Sequence, residues 1–343
     1  MIRRSVHFSV ASILMLIVIG CASPAVTPMP TSAPTTAPAE PTAKPTTAPT
    51  DVPTATAVLA TATPSAMTIT DVAGRKVTIN GVPQRIISLA PSNTEIVFAL
   101  GGGSTVVAVD DFSDYPAEAK SLPKIGGTSD KYNFEQIVSL KPDLIMAAGI
   151  TPPDVLKKLE DLKLTVVVLG VEKTTYESIL TDTSLAGQIT GRADQAKKVT
   201  DSMKQRVDAI KAKVAEAKTK PRVYWELDAT DPTKPYSVGP GTFVNDIITM
   251  AGGVNVFANA NSPYPQISTE QVVALNPEVI ILPDVAYGVT VDSVFKRAGW
   301  QGIDAVKNKH AYPIDDSLVS RPGPRVVDGI EATARLIHPE LFR

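Results

Sequence analysis

The sequence predicts two α/β lobes joined by one long helix, and three observations indicate this fold class. Short apolar segments rich in β-branched residues alternate with segments of helical spacing on both sides of residues 174–219. Residues 174–219 show no strand pattern, and their apolar side chains recur every three or four positions. The segment EQIVSLKPDLIM, from Glu135, returns as EQVVALNPEVII, from Glu270, so each predicted lobe contains one copy.

The first 66 residues are expected to lie outside the folded part. Residues 1–20 have a basic start and an apolar run too short to span a bilayer, which is typical of a signal peptide. The run ends in VIGC and resembles the lipobox of bacterial lipoproteins, in which Cys21 would be lipidated. An uncleaved anchor helix is the alternative. Residues 21–66 are mostly Pro, Thr and Ala, so we expect a disordered tether on the extracytoplasmic face of the cell membrane.

The N-terminal lobe is predicted over residues 85–173, after a small hairpin over 67–84. Its candidate strands are apolar on both faces, as strands of a buried parallel sheet are. These segments are RIISLA, TVVAVD, DLIMAAG and TVVVLG.

The lobes are expected to be joined by a spine helix within residues 174–219. From Ala196 a helix of about 25 residues would be about 38 Å long, enough to span a lobe. The C-terminal lobe is predicted over residues 220–343, where strand-like and helical segments alternate again and a helix over 324–338 closes the chain.

The repeated segment predicts the same unit in both lobes: a capped helix, a break at proline and a buried strand. Asn133 and Ser268 are the expected N-caps, which puts Glu135 and Glu270 in the first helical turn. There a carboxylate stabilises a helix by ~0.3–1 kcal/mol, and this is its default role. The apolar residues that follow, including Val138 and Val273, are expected to form a buried stripe.

Composition excludes several kinds of chemistry. The net charge of −2 gives no electrostatic reason to expect nucleic acid. The single cysteine excludes an intramolecular disulfide and a cysteine-cluster metal site, and only three histidines are present. No GxSxG, HExxH, P-loop or GxGxxG motif occurs. We therefore predict no enzyme, no catalytic residues and no metal site, with a surface enzyme on the same scaffold as a rival.

Aromatic and small polar residues follow the predicted strands, at the ends where open α/β sheets bind ligands. Because only 5% of the residues are aromatic, their position in loops rich in Pro and Gly favours a large, flat, partly apolar ligand. The alternatives are aromatics that pack loops onto the core, and a capping role for the Ser92–Glu95 pattern. The candidate ligand residues are Ser92, Asn93, Phe112, Tyr132, Tyr236, Tyr264 and Arg321.

Five segments carry a family resemblance: RIISLAPSNTEIVFALG, DYPAEAKSLPKIGG, NFEQIVSLKPDLIMAAG, YPQISTEQVVALNPEVIIL and SRPGPRVVDGIEA. Together they resemble the cobalamin and iron-siderophore substrate-binding proteins of ABC importers, over about residues 85–343. The resemblance implies two Rossmann-like lobes bridged by a backbone helix, with the ligand in the cleft between them and modest closure on binding. It implies no cofactor other than the transported ligand.

The resemblance also implies partners. Glu135 and Glu270 would dock onto arginines of the two subunits of a permease dimer, which works with its ATPase subunits, and the receptor would be a monomer. SDYP and YPQIS look closer to the cobalamin branch, although Tyr264 stands where that branch can carry a tryptophan and Ala148 replaces an aromatic residue. A corrinoid is therefore expected, with a ferric siderophore, another ferric chelate or haem as the alternative ligand. A ligand sensor is a further alternative.

Overall fold

The computed structural model describes residues 66–127, 131–170 and 173–343. The predicted signal peptide, Cys21 and the tether lie outside these residues. Among the helices that are described, none is both long and apolar enough to cross a membrane.

An antiparallel hairpin precedes the first lobe and is attached to it through one buried carboxylate. Its strands are β1 (Met67–Thr70) and β2 (Lys76–Ile79). The Asp71 side chain accepts hydrogen bonds from the Arg75 guanidinium at 2.6 Å and from the Val168 backbone N–H at 3.1 Å. Because Val168 lies in the sheet of the first lobe, this carboxylate fixes the hairpin against the sheet.

The first lobe is a four-stranded parallel sheet in the order β4-β3-β5-β6, with helices on both faces. Alternate strand residues enter two separate cores, one on each face, which is why the strands read as continuous apolar runs. In chain order the elements are β3 (Ile86–Ser88), α1 (Pro91–Ala99), β4 (Val106–Val109), α2 (Phe134–Ser139), β5 (Leu144–Ala148), α3 (Pro153–Asp161) and β6 (Val166–Leu169).

Two packed helices connect the lobes, α4 (Tyr176–Ile189) and α5 (Ala193–Val214). The turn between them, which the apolar spacing did not predict, passes through Gly191 with φ +67°, a conformation that other residues rarely adopt. With 22 residues, α5 is about 33 Å long. Both helices place side chains in the cores of both lobes, so the connection is a packed spine.

The second lobe repeats the topology of the first, with a parallel sheet in the order β10-β9-β7-β8. When the strands of each lobe are numbered in chain order, both sheets have the same side-by-side order: second, first, third, fourth. The elements are β7 (Arg222–Trp225), α6 (Phe243–Met250), β8 (Val254–Asn255), α7 (Thr269–Leu275), β9 (Val279–Leu282), α8 (Val291–Phe295), α9 (Asp304–Lys307), β10 (Ala311–Pro313), α10 (Asp316–Val319) and α11 (Val326–Ile337).

The repeated segment occupies the same place in both lobes, since α2 and α7 each precede the third strand of their sheet. Asn133 and Ser268 cap the two helices, as the sequence predicts. Both helices end with a residue of positive φ before the proline, Lys141 at +47° and Asn276 at +42°. The repeat therefore records a shared backbone path as well as a shared sequence.

The predicted apolar stripe of these two helices is wrong in one respect. Ile137 and Val272 are fully buried, as expected, but Val138, Val273 and Leu275 are exposed. The reason is geometric: adjacent residues on a helix are about 100° apart, so a short helix on a sheet cannot bury both.

Candidate functional site

A cleft with a volume of about 810 Å³ lies between the lobes. On the first lobe it is lined by residues that follow the carboxyl ends of β3, β4, β5 and β6, and on the second by residues after β9 and β10. This is the edge at which open α/β sheets bind ligands. The volume falls within the range of about 300–1,000 Å³ typical of small-molecule sites.

The cleft brings together five of the seven candidate ligand residues, Ser92, Asn93, Phe112, Tyr264 and Arg321. The other two are not among its lining residues. Tyr132 borders a separate surface depression beside α2. Tyr236 is held in a backbone ladder with Asp228 and Gln266. For Tyr132 and Tyr236, ligand binding stays a prediction from the sequence.

In the first lobe, hydrogen bonds to the sheet hold the residues of the cleft in place. The Asn93 side-chain amide donates to the carbonyl oxygens of Met146 at 3.2 Å and Ala147 at 2.9 Å, so it fixes the start of α1 on β5. The backbone N–H of Phe112 donates to buried Asp110 at 3.0 Å. This bond shapes the loop after β4 and leaves the Phe112 ring facing the cleft.

Three large apolar side chains are strongly exposed in this cleft: Phe112 at 53%, Ile150 at 84% and Tyr287 at 69%. Exposed apolar groups gathered in one concavity indicate a surface that a ligand covers. Ile150 and Tyr287 were not among the candidates from the sequence. Their positions just beyond β5 and β9 were the signal that could have identified them.

Two carboxylates also line the cleft, and neither was among the candidate ligand residues predicted from the sequence. Asp182 lies on α4, is buried, and accepts a hydrogen bond from the Gly170 backbone N–H at 3.1 Å. Burial raises the pKa of Asp182 to about 6, despite this hydrogen bond. Asp316, at the start of α10, accepts a hydrogen bond from the Tyr287 hydroxyl at 3.2 Å. No motif marks Asp182, because it falls inside the predicted spine, whereas Asp316 belongs to an Asp–Asp pair that follows a predicted strand.

The one arginine in the lining is already paired across the cleft. Arg321 Nη1 lies 2.5 Å from Asp114 Oδ1 and 3.4 Å from Glu95 Oε1, and both carboxylates belong to the first lobe. Burial alone would raise the pKa of Asp114, but the hydrogen bond and charge of Arg321 outweigh it and lower the pKa. The cleft therefore offers a ligand no cation that lacks a carboxylate partner among the described residues.

Ser92 and Glu95 do not form the capping box that the sequence pattern allowed. The helix α1 begins after Ala90, with no side-chain cap. Glu95 instead lies on the buried side of α1 and accepts hydrogen bonds from Arg325 of the second lobe. This pair connects the lobes beside the cleft.

Glu135 and Glu270 lie outside the cleft, in the first turns of α2 and α7. Both are exposed, and neither forms a salt bridge within the described residues. No group of three or more His, Cys, Asp or Glu side chains in the described ranges could hold a metal ion.

Comparison with known proteins gives consistent matches. A model of the periplasmic binding protein family matches residues 86–318. The Bacillus subtilis (strain 168) protein named uncharacterized ABC transporter substrate-binding lipoprotein YvrC is 35% identical over 81% of this chain and 87% of its own. A vitamin B12-binding protein of Vibrio cholerae is 32% identical over 72% and 87%. The crystal structure of a possible iron-binding (periplasmic solute-binding) protein from Staphylococcus epidermidis has a TM-score of 0.66 and 32% identity, over 75% of this chain and 99% of that one.

Proposed function

The chain belongs to the periplasmic binding protein family, and from this premise we propose that it captures cobalamin or a related corrinoid in the cleft between its lobes. It is the substrate-binding protein of an ABC importer, and it acts outside the cytoplasm. The vitamin B12-binding relative from Vibrio cholerae supports the choice of ligand.

The observation that carries the proposal is the pairing of Arg321. The lining contains one guanidinium and two carboxylates, Asp182 and Asp316, and the guanidinium is held by Asp114 and Glu95. An anionic ligand would have to compete with those carboxylates for Arg321. A ligand whose edge carries neutral carboxamide groups could instead donate hydrogen bonds to the carboxylate oxygens that line the cleft.

The apolar part of the cleft supports the same ligand class. A flat macrocycle buries a large area when it lies against aromatic and aliphatic side chains. Phe112 and Ile150 on the first lobe and Tyr287 on the second supply such surfaces on both sides of the cleft. We therefore place the corrin ring between the lobes, with its amide side chains toward Asp182 and Asp316.

A ferric siderophore or haem is the second candidate. Tyr264 lines the cleft, and a phenol is an oxygen ligand that ferric iron accepts. The Staphylococcus epidermidis structure, described as that of a possible iron-binding protein, supports this alternative. The charge of the lining favours it less, because ferric chelates with anionic groups would need free cations.

We further propose how the protein reaches its importer. Lipidation of Cys21 would hold it to the outer face of the membrane, with residues 22–66 as a tether. Glu135 and Glu270, one on each lobe, would contact basic residues of a permease dimer that carries ATPase subunits. The receptor would act as a monomer and would carry no catalytic residues.

A thermal-shift screen tests the choice of ligand. The purified protein is heated with cyanocobalamin, dicyanocobinamide, a ferric hydroxamate, a ferric catecholate or haem. At a ligand concentration of 100 times Kd the stabilisation is about 2.7 kcal/mol, which gives a measurable rise in Tm. We expect the corrinoids to give the largest rise. A rise with an iron compound alone would favour the second candidate.

A further inference from the structure

The guanidinium of Arg321 is the cationic group that a ligand would meet in the cleft. Among the described residues that line the cleft, no other carries a positive charge. A carboxylate on a ligand would need this group, because a hydrogen bond between ions is about twice as strong as a neutral one. The surroundings of Arg321 therefore decide which charge on a ligand the cleft accepts.

The loop after β4 of the first lobe binds Arg321 from across the cleft. Arg321 Nη1 lies 2.5 Å from Asp114 Oδ1, and Nη2 donates to the backbone carbonyl oxygen of Phe112 at 3.4 Å. Phe112 lines the cleft, whereas Asp114 is not among the lining residues. The loop thus places an aromatic ring in the cleft and a carboxylate on the cation beside it.

Asp114 is a stronger partner of Arg321 than Glu95 is. Glu95 Oε1 lies farther from Arg321 Nη1, at 3.4 Å, and Glu95 already accepts hydrogen bonds from Arg325 at 2.6 and 2.9 Å. Burial alone would lower the pKa of Arg321, but the hydrogen bond and charge of Asp114, with a smaller addition from Glu95, raise it. Without Asp114, Arg321 would share one carboxylate with Arg325.

We propose that Asp114 determines ligand specificity through Arg321, and that it excludes ligands with carboxylate groups from the cleft. This inference rests on the proposed function, because it explains how a cleft that contains a guanidinium favours a ligand with neutral amide groups. A ligand carboxylate can pair with Arg321 only by displacing Asp114. The exchange replaces one ion pair with another and leaves Asp114 beside a second anion, which is unfavourable.

The contact between the lobes strengthens this exclusion. Asp114 and Arg321 belong to different lobes, so a ligand that displaced Asp114 would also break an ion pair that joins them. A ligand with neutral amide groups requires no exchange and leaves the pair intact. Asp114 therefore both joins the lobes and neutralises the cation that the cleft presents.

A gain of binding tests this role, because a residue that only stabilises the fold could not produce one. Haem, which carries two propionate carboxylates, is titrated into the wild-type protein and its variants, and absorbance gives the Kd. We expect Asp114→Asn to lower the Kd for haem about tenfold or more, since the released guanidinium can bind a propionate. Asp111→Asn is the matched control. It removes an exposed carboxylate of the same loop that forms no salt bridge among the described residues, so its Kd should stay within about twofold of wild type.

A double variant shows whether the gain depends on the guanidinium. Arg321→Gln combined with Asp114→Asn should return the Kd for haem to within about threefold of wild type, while Asp114→Asn alone keeps the Kd for cyanocobalamin within about threefold. An unchanged Kd for haem in Asp114→Asn, an equal gain in Asp111→Asn, or a gain that persists in the double variant would overturn the role of Asp114.

The two ligands separate this inference from the proposed function. Failure of the wild-type protein to bind cyanocobalamin would overturn the proposed ligand, and the haem titrations would still test Asp114, since they use no corrinoid. Haem binding by the wild-type protein as tight as that of Asp114→Asn would overturn the exclusion itself.

Discussion

Arg325 of the second lobe holds Glu95 of the first lobe with two charge-assisted hydrogen bonds, Nη2 to Oε1 at 2.6 Å and Nε to Oε2 at 2.9 Å. The Arg325 guanidinium also stacks on the Tyr115 ring, 3.9 Å from its centroid. Arg321 extends the contact to Asp114. The lobes are therefore joined by the spine on one side and by this ionic bridge beside the cleft.

The bridge should contribute to stability because Glu95 is buried. We predict that Glu95→Gln lowers the free energy of unfolding by about 2–4 kcal/mol, since two guanidinium groups lose their shared carboxylate. Urea denaturation followed by circular dichroism measures this loss. Asp201→Asn, which breaks an exposed pair with Lys197, is the control and should cost less than about 1 kcal/mol. Equal losses in the two variants would contradict a structural role for the bridge.

A buried acid cluster in the second lobe should make stability depend on pH. Glu226 pairs with Arg297 at 2.7 Å, and Asp284 is buried beside it. Burial and the neighbouring charge of Glu226 raise the pKa of Asp284 to about 7. In the folded protein Asp284 therefore keeps its proton to near neutral pH.

The sign of the effect follows from that raised pKa. Between the unfolded pKa of about 3.9 and the folded pKa near 7, unfolding releases a proton, so stability falls as the pH rises, by up to about 1.4 kcal/mol per pH unit. We predict that the wild-type protein is less stable at pH 7.5 than at pH 5. Asp284→Asn should remove most of this difference, whereas Asp292→Asn, at an exposed surface pair, should keep it. Equal pH profiles for wild type and Asp284→Asn would exclude Asp284 as the source.

The exposed aromatic ring of the first lobe should contribute to ligand affinity. We predict that Phe112→Ala weakens cyanocobalamin binding about tenfold, because one wall of the cleft loses its flat apolar surface. Tyr236→Ala is the matched control, since Tyr236 is an exposed loop aromatic outside the cleft lining. Its Kd should stay within about twofold of wild type. Equilibrium fluorescence titration compares the two, and the reverse order of effects would favour Tyr236 over Phe112 as a ligand contact.

The two glutamates should affect transport and leave ligand binding intact. We predict that Glu135→Ala combined with Glu270→Ala abolishes cyanocobalamin uptake by cells, while the Kd stays within about twofold. Glu118→Ala combined with Glu216→Ala removes two other exposed carboxylates and should leave uptake unchanged. Normal uptake by cells that carry the Glu135→Ala and Glu270→Ala variant, or a large loss of its ligand affinity, would contradict the docking role.

Attachment to the membrane should depend on Cys21. We predict that Cys21→Ser moves the protein from the membrane fraction to the soluble fraction, because no lipid can be attached. Immunoblotting of fractionated cells measures the distribution. Retention of the variant in the membrane would indicate an uncleaved anchor helix.

The sequence predicted the architecture because both sheets are buried on both faces. Strands such as β5 and β9 then appear as continuous apolar runs, and the repeat marks the same step of each lobe. It could not predict contacts between distant parts of the chain, such as Glu95 with Arg325. It also misjudged Val138, because apolar composition alone does not say which face of a short helix meets the sheet.

The cleft was only partly predictable for a similar reason. Strand ends are recognisable in the sequence, and Phe112 was identified there. Asp182 lies on a helix that was expected to be purely structural, and only the folding of α4 against β6 brings it to the cleft.

Isothermal titration calorimetry of the purified protein with cyanocobalamin tests the central claim most directly, with haem and a ferric hydroxamate titrated in parallel. We predict one corrinoid bound per chain, with a Kd at least about a hundredfold lower than for either iron compound, a difference of about 2.7 kcal/mol. No heat of binding with cyanocobalamin, together with tight one-to-one binding of haem or the ferric hydroxamate, would contradict the account.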